Sequence, residues 1–306
     1  MKAGYTRAAL LLVLAMPALA GCGGGRVAPA GDAVLDQAME SGRQSAGLER
    51  LALAEGQYRQ AGTRALARDD AGAIGDAGYN LAVVQLAQDK PADALSTLAA
   101  TRAALAVRGR SGADAGLDLT QAAALHRLSR DREAAPLAAG AMASPDPAIA
   151  EQASLLTGLI ADGVGDRAML GQAVAHLAHR RPVAAKWQAD EDELQARMRL
   201  PHDPAGARDL AVQAADLRRQ MVDYRGMARA LTLAARAAGQ AGDAAGAAAL
   251  TLQAGQSLHA QSPSAAPAVG APDPFAAPAP PVGGLWGAGT GAGQGGCSRW
   301  RVRGAG

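Results

Sequence analysis

The stretch "NLAVVQLAQDKPADALSTL", residues 80–98, reads as two helices joined by a tight turn at Asp89-Lys90-Pro91. Its first part is apolar on more than one side, which is typical of a helix that packs against several neighbours. In its second part, Ala94 and Leu98 begin an apolar stripe at helical spacing. The stretch therefore predicts a helical hairpin, and the same signals can be sought along the rest of the chain.

Similar turns recur at regular intervals on the C-terminal side of this hairpin. They lie in four segments: "SRDREAAPL" (129–137), "VGDRAMLGQA" (164–173), "PHDPAGARDL" (201–210) and "AGDAAGAAAL" (241–250). The aspartates of successive turns are 42, 35, 37 and 40 residues apart. Recurrence with a period of 20–50 residues is the signature of a repeat protein, in which each unit packs on the next.

Each turn aspartate is placed to cap the helix that follows it. A carboxylate at this position accepts hydrogen bonds from the free N–H groups of the first turn and meets the positive end of the helix dipole. Asp203-Pro204 is the clearest case, because proline favours the first helical position. We therefore predict capping by five residues: Asp89, Asp131, Asp166, Asp203 and Asp243.

The helices after the turns carry apolar stripes that repeat the same pattern. The stripes are Ala94, Leu98, Thr101 and Leu105; Ala207, Leu210, Ala214, Leu217 and Met221; and Ala247, Leu250, Ala254 and Leu258. Aromatic residues make up only 3% of the chain, and the β-branched and aromatic runs that a sheet needs are few. The sequence therefore predicts an all-α fold, a solenoid of helix-turn-helix repeats over residues 31–261.

This pattern resembles the tetratricopeptide repeat (TPR) family. Leu81 and Ala82 stand where that family has its Leu-Gly pair, Ala94 stands at the small residue of its second helix, and Leu98 stands at its aromatic. The large aromatics of the first helix are mostly missing, and the spacing departs from the family's period of about 34 residues. An alanine-rich helical bundle without true repeats is the alternative interpretation.

The N-terminus has the organisation of a bacterial lipoprotein signal. Lys2 and Arg7 precede an uncharged apolar run, Ala8 to Ala20, which is too short to span a bilayer as a helix. The run ends in Leu19-Ala20-Gly21-Cys22, which resembles the lipobox of that family at every position. An ordinary secretory signal with an incidental cysteine is the alternative.

The lipoprotein resemblance implies a specific anchor and location. Residues 1–21 would be removed, Cys22 would be acylated on its thiol and its new amino group, and residues 22–30 would form a flexible tether. The family's inner-membrane retention signal is aspartate after the cysteine, whereas this chain has Gly23. We therefore expect a lipid-anchored protein of the cell envelope, at the outer membrane and facing the periplasm.

The composition changes at Ser262, where a segment rich in proline, alanine and glycine begins. Such a segment cannot bury enough apolar surface to offset the entropy of ordering, so we predict that residues 262–306 are disordered. The last residues are basic and contain Cys297, the second of the two cysteines.

No catalytic, metal or cofactor site is predicted. His176 and His179 could share a helix face, but no nearby cysteine or carboxylate completes a ligand set. The acidic run "DEDEL", residues 190–194, is expected at the start of a helix, where it would complement the dipole. With 30 basic and 28 acidic residues, the chain also lacks the basic excess of a nucleic-acid-binding protein.

The TPR resemblance implies a partner groove along the first helix of each pair. Aligning Ala94 and Ala247 with the family's small residue places eight residues there: Asp76, Tyr79, Val83, Leu86, Arg229, Thr232, Arg236 and Gln240. One end of the groove would then offer arginines and the other an aromatic-aliphatic strip. An extended peptide with an acidic end and an apolar end would suit both.

The expected function is that of a membrane-anchored scaffold that binds an envelope protein or peptide. The resemblance implies a role in cell-envelope assembly, with pilus, secretion or outer-membrane biogenesis as the settings. The alternatives are an enzyme associated with the cell wall (peptidoglycan), and an irregular α-helical structural lipoprotein. We expect no enzymatic activity, because no room for a catalytic domain remains between signal and tail.

Overall fold

A computed structural model describes residues 31–178 and 184–261 of the chain, and the described residues are all-helical. The fold prediction is thus confirmed. The twelve helices of this part are α1 (Ala33–Gly47), α2 (Leu51–Ala67), α3 (Ala71–Ala87), α4 (Pro91–Val107), α5 (Ala115–Arg127), α6 (Asp131–Ala141), α7 (Pro147–Val164), α8 (Arg167–Ala178), α9 (Ala185–Arg199), α10 (Pro204–Gln220), α11 (Tyr224–Gln240) and α12 (Ala244–Ala260).

The helices from α1 to α11 pack in chain order, each against the next. The odd-numbered helices also contact one another, α3 with α5, α5 with α7, α7 with α9 and α9 with α11. An odd-numbered helix from α5 to α11 therefore rests on both helices of the preceding pair. This packing of one helix on the preceding pair repeats along the chain, as expected of a solenoid-like fold.

Small residues allow the helices to approach closely. The core consists largely of buried alanines, and Leu98 and Leu117 are the most fully buried of the larger apolar side chains in the α3–α5 part. A Cβ atom added to Gly78 on α3 would lie 2.1 Å from the Thr101 hydroxyl on α4, so no larger residue fits there without movement. The predicted stripe of α4, from Ala94 to Leu105, is buried along its length.

Aspartates cap most of the helices, although two of the five predicted caps are wrong. Asp166, Asp203 and Asp243 accept hydrogen bonds from backbone N–H groups three residues ahead, at 2.8–2.9 Å. Aspartates also cap the first helices of five pairs, which the sequence analysis did not identify. Those residues are Asp32, Asp70, Asp114, Asp146 and Asp223.

Asp89 and Asp131 have other roles. Asp89 has a φ of 61° and ends α3 in a left-handed turn, in which the Lys90 N–H donates to the Gln85 carbonyl at 2.9 Å. α4 then begins without a side-chain cap. Asp131 is already inside α6, and its carboxylate contacts His126 Nδ1 at 2.6 Å.

Candidate binding surface

The predicted groove residues of α3 are divided between the surface and the core. Asp76 is exposed, Val83 is 39% exposed, and Tyr79 is partly buried. The Tyr79 ring lies against α5, where a Cβ at Gly116 would be 3.5 Å from it. Leu86 is buried in the core, so its side chain adds no surface to the predicted strip.

On α11, three of the four predicted residues are exposed: Thr232, Arg236 and Gln240. Arg229 is instead bound within the protein, because its Nε and Nη2 atoms donate to the two carboxylate oxygens of Glu193 at 2.8 and 2.9 Å. Of the two arginines predicted for the groove, Arg236 is the one whose guanidinium is not held by a described residue.

Glu193 is the centre of a buried ion cluster that joins four helices. Besides Arg229 of α11, it pairs with Arg197 on its own helix at 2.9 Å and with Arg218 of α10 at 2.7 Å. Arg197 reaches Asp162 of α7 at 2.7 Å. Desolvation would raise the pKa of Glu193, but the charges of Arg229, Arg197 and Arg218 outweigh it and hold the pKa at about 2.

Asp190 belongs to the same cluster, but its pKa is shifted in the opposite direction. It accepts from Arg218 at 2.7 Å, but its other carboxylate oxygen has no hydrogen-bond partner. Burial raises its pKa to about 6, against the charge of Arg218, which favours the ionised form. The same Nη2 atom of Arg218 also lies 2.7 Å from Glu193, and its Nη1 atom contacts Asp223 at 3.2 Å.

The acidic run at residues 190–194 was therefore interpreted wrongly from the sequence. α9 begins at Ala185, so the run lies beyond its first turn, and all four carboxylate side chains are buried. Asp190 and Glu193 pair with arginines of α10 and α11, whereas Glu191 and Asp192 accept hydrogen bonds from Gln195 and Gln188 of α9 itself. Glu193 is fully buried and its negative charge is balanced by arginines. It therefore holds α9 to α10 and α11, and it is poorly placed to accept a proton from a ligand.

α3 and α11, the two helices that carry the predicted groove residues, are linked by a hydrogen bond. Arg225, at the start of α11, donates to the carbonyl of Ala87, the last residue of α3, at 3.2 Å. Arg127 at the end of α5 donates to the neighbouring Leu86 carbonyl. Burial and the charge of Arg225 both lower the pKa of Arg127. The start of α11 therefore touches the end of α3, through residues that are not among those predicted for the groove.

An open cleft of about 450 Å³ lies between α11 and α12. It is lined by Thr232, Ala235, Arg236, Thr251, Ala254, Gly255 and Leu258. Two of these residues belong to the predicted groove, and Ala254 and Leu258 belong to a predicted stripe. The sequence thus contained the signals for both walls, but it gave no reason to combine them into one site.

A second cleft, of about 300 Å³, lies at the connection between α4 and α5. Leu105 and Leu117 form its apolar part, and Arg102 and Arg110 contribute positive charge. Arg102 is engaged by Asp118 at 2.6 Å, and Asp114 in the cleft wall caps α5. The polar groups of this cleft therefore serve largely to seat α5.

The histidine pair cannot be assessed as a pair, because His179 lies outside the described residues. His176 Nδ1 is 2.7 Å from the Ser154 hydroxyl. Within residues 31–178 and 184–261, no three histidine, cysteine, aspartate or glutamate side chains are grouped to hold a metal ion.

The residues of the predicted lipobox, Leu19, Ala20, Gly21 and Cys22, also lie outside the described residues, as do the predicted tether and the C-terminal tail. In the part that is described, no helix combines the length and hydropathy that crossing a bilayer requires. Comparison with protein-family models yields no match, and comparison with curated proteins yields no significant similarity.

Proposed function

We propose that this chain is a lipid-anchored scaffold of the bacterial cell envelope, tethered through Cys22 and binding a protein partner along its TPR-like helices. The observation that carries the proposal is the order of features in one chain. A charged start, a short apolar run and Leu-Ala-Gly-Cys precede an all-helical body of sequentially packed pairs.

The chemistry of Cys22 supports the anchor. Each buried methylene of an acyl chain contributes about 0.8 kcal/mol to membrane binding, and one chain anchors only marginally. Several chains on one residue hold a protein on the membrane stably. Gly23, Gly24 and Gly25 would then separate the body from the lipid surface. With glycine after the cysteine, the proposed location is the outer membrane, facing the periplasm.

The helical body supports a binding role. Repeat arrays present extended surfaces to partners, and here the surface of α3 and α11 contains Asp76, Val83, Thr232 and Arg236. An arginine beside apolar side chains suits a partner with a carboxylate next to an apolar segment. Assembly of a pilus, a secretion apparatus or the outer membrane is the proposed setting.

The anchor is tested by comparing Cys22→Ser with Cys297→Ser in the native bacterium, with labelled palmitate in the medium. We expect the label and membrane sedimentation in the wild type and in Cys297→Ser, and neither in Cys22→Ser. Equal labelling or equal fractionation of the two variants would contradict the anchor.

The binding role is tested by crosslinking wild-type and Cys22→Ser chains in cells and purifying each. An envelope protein that is recovered with the anchored chain and reduced with Cys22→Ser would support the scaffold. Hydrolysis of purified peptidoglycan by the isolated chain would instead favour the cell-wall enzyme.

A further inference from the structure

The cleft between α11 and α12 lies at the end of the described helices. α12 is the last of them, and of its residues Ala254 alone is fully buried. Leu252 is 62% exposed and Leu258 51% exposed. A repeat array ordinarily ends in a polar face that keeps it soluble, so an apolar terminal helix is a candidate interface.

The residues that line this cleft occupy the same positions in their helices as the residues of α3 and α4 that contact α5. In the alignment that matches Ala247 with Ala94, the cleft residues Thr232, Gly255 and Leu258 match Tyr79, Arg102 and Leu105. These three residues of the α3–α4 pair all meet α5. Tyr79 lies against Gly116, Arg102 pairs with Asp118, and Leu105 lies in one core cluster with Leu117.

The α9–α10 pair repeats the arrangement. By the same alignment, Ala211, Ala214 and Ala215 of α10 match the cleft residues Thr251, Ala254 and Gly255. They are fully buried in clusters that also contain α11 residues, among them Ala230 and Leu233. The surfaces of the α3–α4 and α9–α10 pairs that correspond to the cleft are therefore each covered by the helix that follows.

The charge of the cleft restricts which helix fits. Arg236 lines it, is exposed, and forms no ion pair or hydrogen bond with a described residue. Its neighbours in the cleft are mostly apolar or small, and the hydroxyls of Thr232 and Thr251 donate to carbonyls of their own helices. At the α3–α4 surface, the incoming helix supplies Asp118 to an arginine of the wall.

We propose that the α11–α12 cleft binds an amphipathic helix of a partner protein, seated as α5 is seated on α3–α4, with a carboxylate of that helix paired to Arg236. The inference rests on the proposed scaffold function and specifies its partner: a helix with an apolar face and an acidic residue beside it. This differs from the extended peptide that the sequence analysis expects.

Two other occupants either fit less well or are separated by the experiment. The segment after α12 has a single acidic residue, Asp273, with proline on both sides, so it cannot supply a carboxylate from a helix. A second copy docking through α12 would bring no carboxylate, because α12 has none. Docking through α1 of a second copy would bring the exposed Asp36 as well as Glu40, which is paired with Arg43, so this occupant is separated by the dimerisation measurement below.

The probe is a fluorescein-labelled peptide with the sequence of residues 114–128, which contains α5 and Asp118. A hydrocarbon staple joins the positions of Ala122 and His126, which in the protein face the α6 side, and keeps the peptide helical. Binding to the full-length chain is measured by fluorescence anisotropy. The control variant is Arg132→Glu, which reverses an exposed and unpaired arginine on α6.

We expect saturable binding to the wild type and to Arg132→Glu, and binding weakened at least about tenfold by Arg236→Glu. A peptide with Asp118→Arg should bind Arg236→Glu better than the wild type, a reversal that loss of folding cannot produce. Lack of saturable binding, or equal binding by Arg236→Glu and the wild type, would overturn the proposal. The palmitate labelling is independent of this result, so failure here leaves the anchor intact.

The other occupants are separate outcomes of the same experiment. If the probe binds only after Phe275, Leu285 and Trp286 have been replaced by serine, the chain's own tail covers the cleft. Concentration-dependent dimerisation that Leu258→Asp abolishes would show that a second copy does. Either result would overturn the assignment to a partner helix.

Discussion

At two points of the molecule, which we call joints, a helix packs on the preceding pair of helices. The two joints are α5 on α3 and α4, and α11 on α9 and α10, and they are built with different chemistry. Where α5 rests on α3 and α4, the contact is largely apolar, built from Leu98, Leu105 and Leu117, with the ion pairs Arg102–Asp118 and Arg127–Asp89 at its edge. Where α11 rests on α9 and α10, buried alanines surround a cluster of charges centred on Glu193. We expect the first joint to tolerate the loss of a polar group better than the second, in which each buried charge is paired with its neighbours.

The difference follows from the energetics of burial. Apolar packing gives a favourable contribution that grows with the area removed from water. A buried ion pair repays its desolvation only when every charge is matched, so its net contribution is small but the loss of one partner is severe. We therefore expect the charged joint to be the more sensitive of the two to single substitutions.

The largest effect is expected for Glu193→Ala. The change leaves Arg218 and Arg229 without their shared carboxylate, and Arg218 is almost fully buried. Removing one partner of a buried pair costs about 3–5 kcal/mol in the free energy of unfolding. Chemical denaturation followed by circular dichroism measures it. Glu40→Ala, which removes an exposed carboxylate from a pair within α1, is the control and should change little. Equal effects of the two would contradict the central role of Glu193.

A smaller effect is expected for Leu98→Ala in the apolar joint. Leu98 is 1% exposed, and its truncation removes buried methyl groups and leaves a cavity. The cost should be about 2–4 kcal/mol, in part recovered if the neighbouring alanine-rich helices move inward. The same denaturation measurement applies, with Leu53→Ala on an exposed face as the control. If Leu98→Ala proved more damaging than Glu193→Ala, the contrast between the joints would be wrong.

The contrast also explains what the sequence could predict. Helices, turns and the apolar stripes are encoded within a few residues, so the all-α fold and the buried face of α4 followed from spacing alone. Asp89 was misassigned because it takes the left-handed position of its turn, and Asp131 because it is the first residue of α6, after the left-handed Ser129. Whether a turn aspartate takes such a position or caps the next helix depends on one residue of register.

The charged joint could not be predicted by the same reasoning. A polar run such as residues 190–194 is ordinarily solvated, and here its burial depends on arginines 25 or more residues away. The sequence separation of Arg229 and Glu193 is also the reason why their pairing was not predicted and why Arg229 was assigned to the partner groove. The contact of Arg225 with Ala87 spans 138 residues and results from the orientations of all the intervening helices.

The smallest effect expected is a pH dependence that only the charged joint should produce. The pKa of Asp190 is about 6 in the folded protein, above the ordinary value of 3.8. The folded state therefore binds a proton more tightly than the unfolded state, and the free energy of unfolding should rise as the pH falls through 6. Between pH 7 and pH 5 this one group should add about 1 kcal/mol.

Comparison of the wild type with Asp190→Asn isolates this contribution. Asparagine keeps the shape of the side chain and removes the titration, so the variant should lack the increase, whereas the exposed Asp36→Asn should retain it. Glu193, whose pKa is held at about 2, has the opposite sign and loses its contribution mainly as the pH falls below 4.5. The wild type should accordingly be most stable between these two ranges, near pH 5. Denaturation at several pH values measures the curve, and an Asp190→Asn variant that still gained stability from pH 7 to pH 5 as the wild type does would place the titrating group elsewhere.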